Sequence, residues 1–291
     1  MRPKFSIVMP SFNQGQYLEE AILSILNQDY PEKELIVIDG GSSDESVAII
    51  RRYEKYLAYW VSEKDEGQSH AIEKGFARAT GDWFNWINSD DALLPNALTN
   101  VAETILKHPK ADLVAGGGVI SDESGRVLRT SRAVPPRLWM PKYGLMGPLI
   151  QQGVFFSRRA YDAVGGINRR IFFRMDSDLY ARILLAGWKG VSFHRLVGLF
   201  RQQSNAKTTL HSDTQRKELD EALRRVGLSV RWVGLLSLPS RIYRLLSGHY
   251  VIQYLDTRRM AGKSLQDLWS LAGVPLNDVT CEAVQAEGKK T

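Results

Sequence analysis

The chain of 291 residues has a single cysteine, Cys281, so no disulfide framework can staple it, and a lone thiol fits a reducing compartment. It has no run of about 18 apolar residues, the length a membrane-crossing helix needs. Its longest uncharged stretch, Tyr143–Ser157, is interrupted by glycine, proline and glutamine. The strand-like run Phe5–Pro10 behind Met1 is too short for the apolar region of a secretory signal. Together these absences read as a cytoplasmic protein. No internal repeat is present. Two glycine signatures are also missing: the first strand runs into Pro10-Ser11-Phe12-Asn13 rather than G-x-G-x-x-G, and no G-x-x-x-x-G-K-[ST] occurs. A dinucleotide fingerprint is disfavoured and a P-loop enzyme excluded.

The residues that are present, 44% hydrophobic and 24% charged, fit a globular protein with one large domain or two modest ones. The net charge of +6 hides an asymmetry. Residues 1–115 carry 11 Lys/Arg against 18 Asp/Glu, a net of −7, and residues 116–291 carry 27 against 14, a net of +13. A basic chain raises the question of nucleic acid, but the better organised half is acidic. An acidic site for a phosphate ligand needs a metal ion.

Phe5-Ser6-Ile7-Val8-Met9, closed by Pro10, reads as a first strand, and Tyr17, Leu18, Ala21, Ile22, Ile25 and Leu26 give the next helix one apolar face. Leu35–Ile38 is a continuous apolar strand, as parallel strands covered on both faces are. It ends in Asp39-Gly40-Gly41-Ser42-Ser43-Asp44, with Ser42 or Ser43 a natural cap for a helix over 45–56. A strand at Tyr59–Val61, a helix over 67–79, a strand at Trp83–Ile87, a helix from near Pro95 and a strand at Asp112–Ala115 follow. This alternation predicts an open parallel sheet with right-handed crossovers, whose ligands bind beyond the carboxyl ends of the strands. Gly116-Gly117-Gly118 reads as a flexible connection, and 116–132 as a hairpin. Gly153–Ser157 reads as a strand, Arg158–Val164 as a short helix, Gly165-Gly166 as a break and 176–186 as a helix.

Three acidic motifs could do chemistry. Asp90 and Asp91 follow a buried strand, where hard oxygen ligands suit Mg²⁺ or Mn²⁺; a solvated pair favouring a helix dipole is the alternative. Asp39 could bond a base or ribose, or only cap its own turn. Asp176, at a helix start among aromatics, could be a general base, or it could cap the helix while Arg182 neutralises Asp178.

In order along the chain, Ser6–Asn13, Glu34–Ser43, Asp65–Phe76, Asn88-Ser89-Asp90-Asp91, Gly165-Gly166-Ile167 and Met175–Leu179 resemble the motifs of the family 2 glycosyltransferases. The resemblance runs from Ser6 to about Gly187. It implies the GT-A fold, an open, mostly parallel nucleotide-binding sheet flanked by helices, over residues 1–211. Residues 1–115 would be the nucleotide-sugar half and 116–211 the acceptor half, with a helical basic extension over 212–291. It implies Asp91 as the metal ligand, Asp90 at the ribose or around the ion, Asp39 on uracil or guanine, and Asp176 as catalytic base. Pro10, Phe12, Asn13, Ser42, Asp65, Gly67, Gln68, Lys74, Asn88 and Ser89 would complete the donor site. Two positions depart from the pattern: Met175 stands where the family often has Glu, and Phe200–Gln203 has Gln where a His often follows.

The implied reaction is inverting transfer of a sugar from a nucleotide-sugar, by family habit a UDP-sugar, to a saccharide or lipid-linked acceptor. The Arg-rich, apolar-aromatic segment 223–259 either lies on the inner face of the plasma membrane or packs on the protein or a second subunit. A sugar-nucleotide pyrophosphorylase is the enzyme alternative, but Pro10–Gly15 lacks the cation its loop needs. A non-catalytic protein binding membrane or nucleic acid is the alternative from another class, with nucleic acid disfavoured.

Overall fold

A computed structural model describes residues 2–136, 149–171, 173–203, 238–273 and 276. Cys281, the tail from Val279, most of the proline- and aromatic-rich segment 134–146 and the 223–237 part of the basic segment lie outside these residues. The described strands form one sheet in the order β3 (Tyr59–Ser62), β2 (Lys33–Asp39), β1 (Phe5–Ser11), β4 (Trp83–Trp86), β8 (Val154–Ser157), β6 (Leu113–Ser121), β9 (Gly190–Arg201) and β5 (Ala92–Leu93), with β7 (Val127–Ser131) also paired to β6. β1 (Phe5–Ser11), β2 (Lys33–Asp39), β3 (Tyr59–Ser62) and β4 (Trp83–Trp86) are mutually parallel. Between them run α1 (Gly15–Leu26), α2 (Ser46–Tyr53) and α3 (Gln68–Arg78).

The continuous apolar strands are explained by two cores, one on each face. Phe5, Ile7, Met9, Leu35 and Val37 join α1 and α2 in one, while Val8, Ile36 and Ile38 meet α3 in the other. Burying each such side chain contributes about 1.5–3 kcal/mol. Pro10 lies inside β1 rather than closing it. Phe5 and Ser11 bond toward β2 and Lys4 and Val8 toward β4. That alternation turns the missing Pro10 N–H to the β4 side, past Trp86 where β4 has ended, so no ladder bond is lost.

The expected parallel alternation stops after β4. β5 (Ala92–Leu93) and α4 (Ala97–Lys107) lead to β6 (Leu113–Ser121), which does not join β4. β8 (Val154–Ser157) inserts antiparallel between them, and β9 (Gly190–Arg201) runs parallel to β6. The sheet is therefore parallel in its first half and mixed in its second. β6 and β7 (Val127–Ser131) form the expected hairpin, and α5 (Arg158–Ala163) and α6 (Met175–Leu185) cover the β4–β8 face.

Gly116-Gly117-Gly118 is not a flexible connection; all three residues are buried within β6. Side chains there have no room. A Cβ on Gly117 would stand 2.6 Å from Ser131 O, and one on Gly118 2.6 Å from Gly198 O. Because that neighbour is backbone, Gly118→Ala is expected to cost about 1–3 kcal/mol. Urea denaturation reads this, and an unchanged midpoint would contradict it.

At the C-terminus, α7 (Leu238–Leu246), α8 (His249–Met260) and α9 (Leu265–Leu271) follow one another, with Gly248 left-handed (φ 69°) between the first two. α9 starts in a Ser264/Asp267 capping box and buries Leu265, Leu268 and Trp269 in the β1–α1 core.

Candidate active site

Two of the three acidic motifs lie at the carboxyl ends of β2 and β4, where an open sheet of this kind binds ligands. Two turns are stapled together there. The Asn13 N–H donates to Ser42 Oγ (2.8 Å), and Asn13 Oδ1 accepts the Ser43 N–H (2.9 Å). Asn13 itself is left-handed, with φ 51°. Neither Ser42 nor Ser43 caps α2. Asp44 Oδ1 accepts the Ser46 N–H (3.0 Å) and Asp44 Oδ2 the Gly15 N–H (2.9 Å), because Ser42 is already spent on Asp39.

Asp39 is fully buried. Its Oδ2 accepts the Gly41 and Ser42 N–H groups (3.1 and 2.9 Å) and Ser62 Oγ (2.6 Å), and its Oδ1 accepts Ser42 Oγ (2.5 Å). The turn-capping role is thus realised. Beside this turn Phe12 is 59% exposed. A Cβ on Gly40 would meet Asp65 Oδ2 at 2.9 Å and Phe12 Cδ2 at 3.3 Å, so this glycine keeps the gap between ring and carboxylate open. Asp65 Oδ1 accepts the Gly67 N–H (2.7 Å) at the start of α3. Lys74 is ion-paired with Glu63, and Pro10 and Ser89 are buried.

Gln68 Nε2 donates to Asn88 Oδ1 (2.6 Å), and Asn88 Nδ2 donates to Asp91 Oδ2 (2.9 Å). Asp91 Oδ2 also accepts from Gln152 Nε2 (2.6 Å), and its Oδ1 accepts the Arg201 N–H (3.0 Å). Asp91 is 2% exposed; burial first, then the neighbouring Asp90, pushes its carboxyl well up. A carboxylate so enclosed and so occupied by protein donors anchors the turn, and its neighbour Asp90 is the more accessible of the two. Asp90 is half-buried and accepts Gln203 Nε2 on Oδ2 (2.7 Å); burial raises its carboxyl as well. No group of three or more His, Cys, Asp or Glu among the described residues could hold a metal. One accessible carboxylate fits an ion that takes its other ligands from phosphate and water, as Mg²⁺ commonly does.

Arg201, at the end of β9, was not singled out by sequence, since its partners come from distant elements. Its Nε donates to Asp90 O (2.9 Å) and its Nη1 to Glu123 O (3.1 Å). Nη2 pairs with Glu20, and the guanidinium lies 4.6 Å from the Tyr17 ring centroid. Gln152 was missed for the same reason.

Across Trp86, α6 carries Asp176. Its Oδ1 accepts the Ser177 N–H (2.6 Å), and Arg174, not Asp176, is the cap residue. Burial pushes the Asp176 carboxyl up, against the pull of the Ser177 N–H and Arg174. Asp178 is held by Arg182 (2.8 Å), which also donates to Val164 O and Gly166 O (both 2.7 Å) and so clamps the Gly165-Gly166 turn. Met175, where Glu was the family habit, is buried with Ser69 Oγ at 3.0 Å from its sulfur. One turn beyond Asp176, Tyr180 stacks on Trp86 (centroids 6.4 Å, 29°). Gln151 Nε2 donates to Trp86 O (2.7 Å). The helix of Asp176 and the strand that feeds Asp90 are therefore packed on one another.

This sheet, with an acidic turn at the end of its fourth strand and covering helices, defines the GT-A class of glycosyltransferases. Staphylococcus aureus TarS 1–349 in complex with UDP-GlcNAc superposes with a TM-score of 0.61 at 18% identity, over 77% of this chain and 65% of that one. The mannosyltransferase PcManGT from Pyrobaculum calidifontis, in complex with GDP-Man and Mn²⁺, gives 0.55 at 18%, over 93% and 88%. Residues 6–165 match the family described as Glycosyl transferase family 2, and the chain belongs to that family. Among its relatives, a protein named as the glycosyltransferase EpsE of Bacillus subtilis is 27% identical over 70% of this chain and 75% of its own. A PGL/p-HBAD biosynthesis glycosyltransferase of Mycobacterium tuberculosis is 28% identical over 62% and 69%. An uncharacterized glycosyltransferase of Rickettsia conorii is 32% identical, and the chain spans only 31% of that protein.

Proposed function

We propose that the chain is an inverting, metal-assisted glycosyltransferase. It moves a sugar from a nucleotide donor, UDP-linked in the first instance, to a hydroxyl of a saccharide or lipid-linked acceptor in building cell-surface polysaccharide or glycolipid. The observation that supports this reading is the packing of α6 on Trp86, which joins the helix of Asp176 to the strand that runs into the Asp90 turn. Residues 1–211 would do the chemistry, in donor and acceptor halves meeting near 115, and 212–291 would be the extension.

The exposed Phe12 ring would stack the base, on a turn held rigid by Asp39, Ser42 and Asn13. Asp65, Gly67, Gln68 and Asn88 would line the way to the diphosphate; Lys74 would join only by leaving Glu63. Asp176 would accept the acceptor hydroxyl's proton as that oxygen bonds the anomeric carbon. The old bond to the diphosphate then breaks, its electron pair leaving with the phosphate oxygen. Mg²⁺ or Mn²⁺ held by Asp90 would supply charge neutralisation at the leaving diphosphate.

Calorimetry with UDP, GDP and dTDP, with and without Mn²⁺, tests the reading. One nucleotide should bind only with metal, and Asp90→Ala should lose that dependence. Failure of all three nucleotides to bind would sink the proposal.

A further inference from the structure

Helices α7 and α8 carry an apolar face that no described part of the chain covers. α8 is turned with its polar residues inward. Thr257 Oγ1 accepts the Thr130 N–H (3.0 Å), Thr130 Oγ1 donates to Gln253 O (3.1 Å), and Asp256 pairs with Arg132. His249 is buried against His194, with ring centroids 5.5 Å apart. Positions 249, 253, 256 and 257 follow the spacing of a single helix face. The opposite face presents Val251, Tyr254 and Leu255, the first two each 63% exposed, and α7 adds Leu246 at 81%.

This inverts the ordinary surface helix, whose apolar stripe faces the core. α9, the next helix, obeys the ordinary rule and buries Leu265, Leu268 and Trp269, so α8 is followed directly by a helix anchored in the core. The outward stripe belongs to a fixed element, and contiguous apolar exposure of this kind marks an interaction surface.

Charge decides what covers it. Arg241, Arg258 and Arg259 are exposed on these two helices, and their one acid, Asp256, is spent on Arg132. A second copy related by a two-fold axis would bring two patches of the same positive charge together. A layer of anionic headgroups suits both features, since the acyl boundary takes Tyr and Leu while phosphates take Arg. We propose that the outer face of α7 and α8 docks on an anionic membrane surface. No helix among the described residues is long and apolar enough to cross a membrane.

The test is sedimentation of the full chain with vesicles of phosphatidylcholine alone, or of phosphatidylcholine with phosphatidylglycerol. The chain should pellet only with the second kind and be released by high salt. Removing both charges in Arg258→Ala/Arg259→Ala should weaken partition roughly 25-fold, about fivefold per arginine. Val251→Asp/Leu255→Asp should abolish it while the circular dichroism spectrum stays that of wild type. Leu246→Asp repeats the test on α7 should that pair fail to fold. Equal binding to both vesicles, no binding to either, or unchanged binding by all variants would overturn the proposal. So would a dimer in sedimentation equilibrium that Val251→Asp dissolves. No donor or acceptor enters these measurements, so their outcome is independent of the transferase chemistry.

Discussion

Asp176→Asn is expected to abolish sugar transfer while leaving metal-dependent nucleotide binding intact. A positioned general base contributes about 10²–10⁴-fold, and Asn keeps the shape while losing the proton acceptor. The wild-type pH profile should carry the same signature. Burial raises the Asp176 carboxyl above the ordinary aspartate range, and the base works only when ionised. kcat/KM should therefore climb with pH along a limb whose midpoint lies above that range. The stability sign is opposite. Between its unfolded and raised folded pKa the native state binds the proton more tightly, so this group's contribution falls as pH rises through that window. Asp176→Asn should thus be no less stable than wild type at neutral pH, and the difference should vanish in acid. An Asn variant with full activity, or one that loses nucleotide affinity, would remove Asp176 from the role.

Arg201→Met should have the largest effect on the integrity of the donor site. The guanidinium is 4% exposed and joins α1, the β6–β7 turn and the Asp90 backbone. Stripping one partner from a buried ion pair typically costs 3–5 kcal/mol. Glu20 is 37% exposed and recovers some hydration, so a loss of about 3 kcal/mol is expected. Nucleotide affinity should fall with it, because Asp90 loses the support under its carbonyl. Arg201→Lys should rescue little, since one ammonium cannot span the separate acceptors that the planar fork reaches. Urea unfolding and calorimetry of both variants measure this; a wild-type midpoint for Arg201→Met would show that the hub carries no load.

Much of the donor half is legible in the chain itself. Apolar runs of four to seven residues and helix-period stripes alternate from Phe5 to Ala115, and the acidic turns fall at strand ends by simple counting. The enclosure of Asp91 was not legible. Asn88 lies three residues away, but the other donors to its carboxylate lie 61 and 110 positions along the chain. No local pattern distinguishes it from Asp90. The Gly116–Gly118 run misled for a related reason: the same three glycines can mark slack or crowding, and only the carbonyls of Ser131 and Gly198 show which.

By itself, then, the sequence determined the order of the first four strands and their helices, the two-faced burial of those strands and the family. Backbone periodicity and turn chemistry act over a few residues and are written locally. The tertiary structure alone decided which aspartate is buried and which is half-buried, where β8 and β9 enter the sheet, and that α8 turns its apolar side outward. Desolvation, donor saturation and the choice of buried face depend on residues that meet only after the chain has folded.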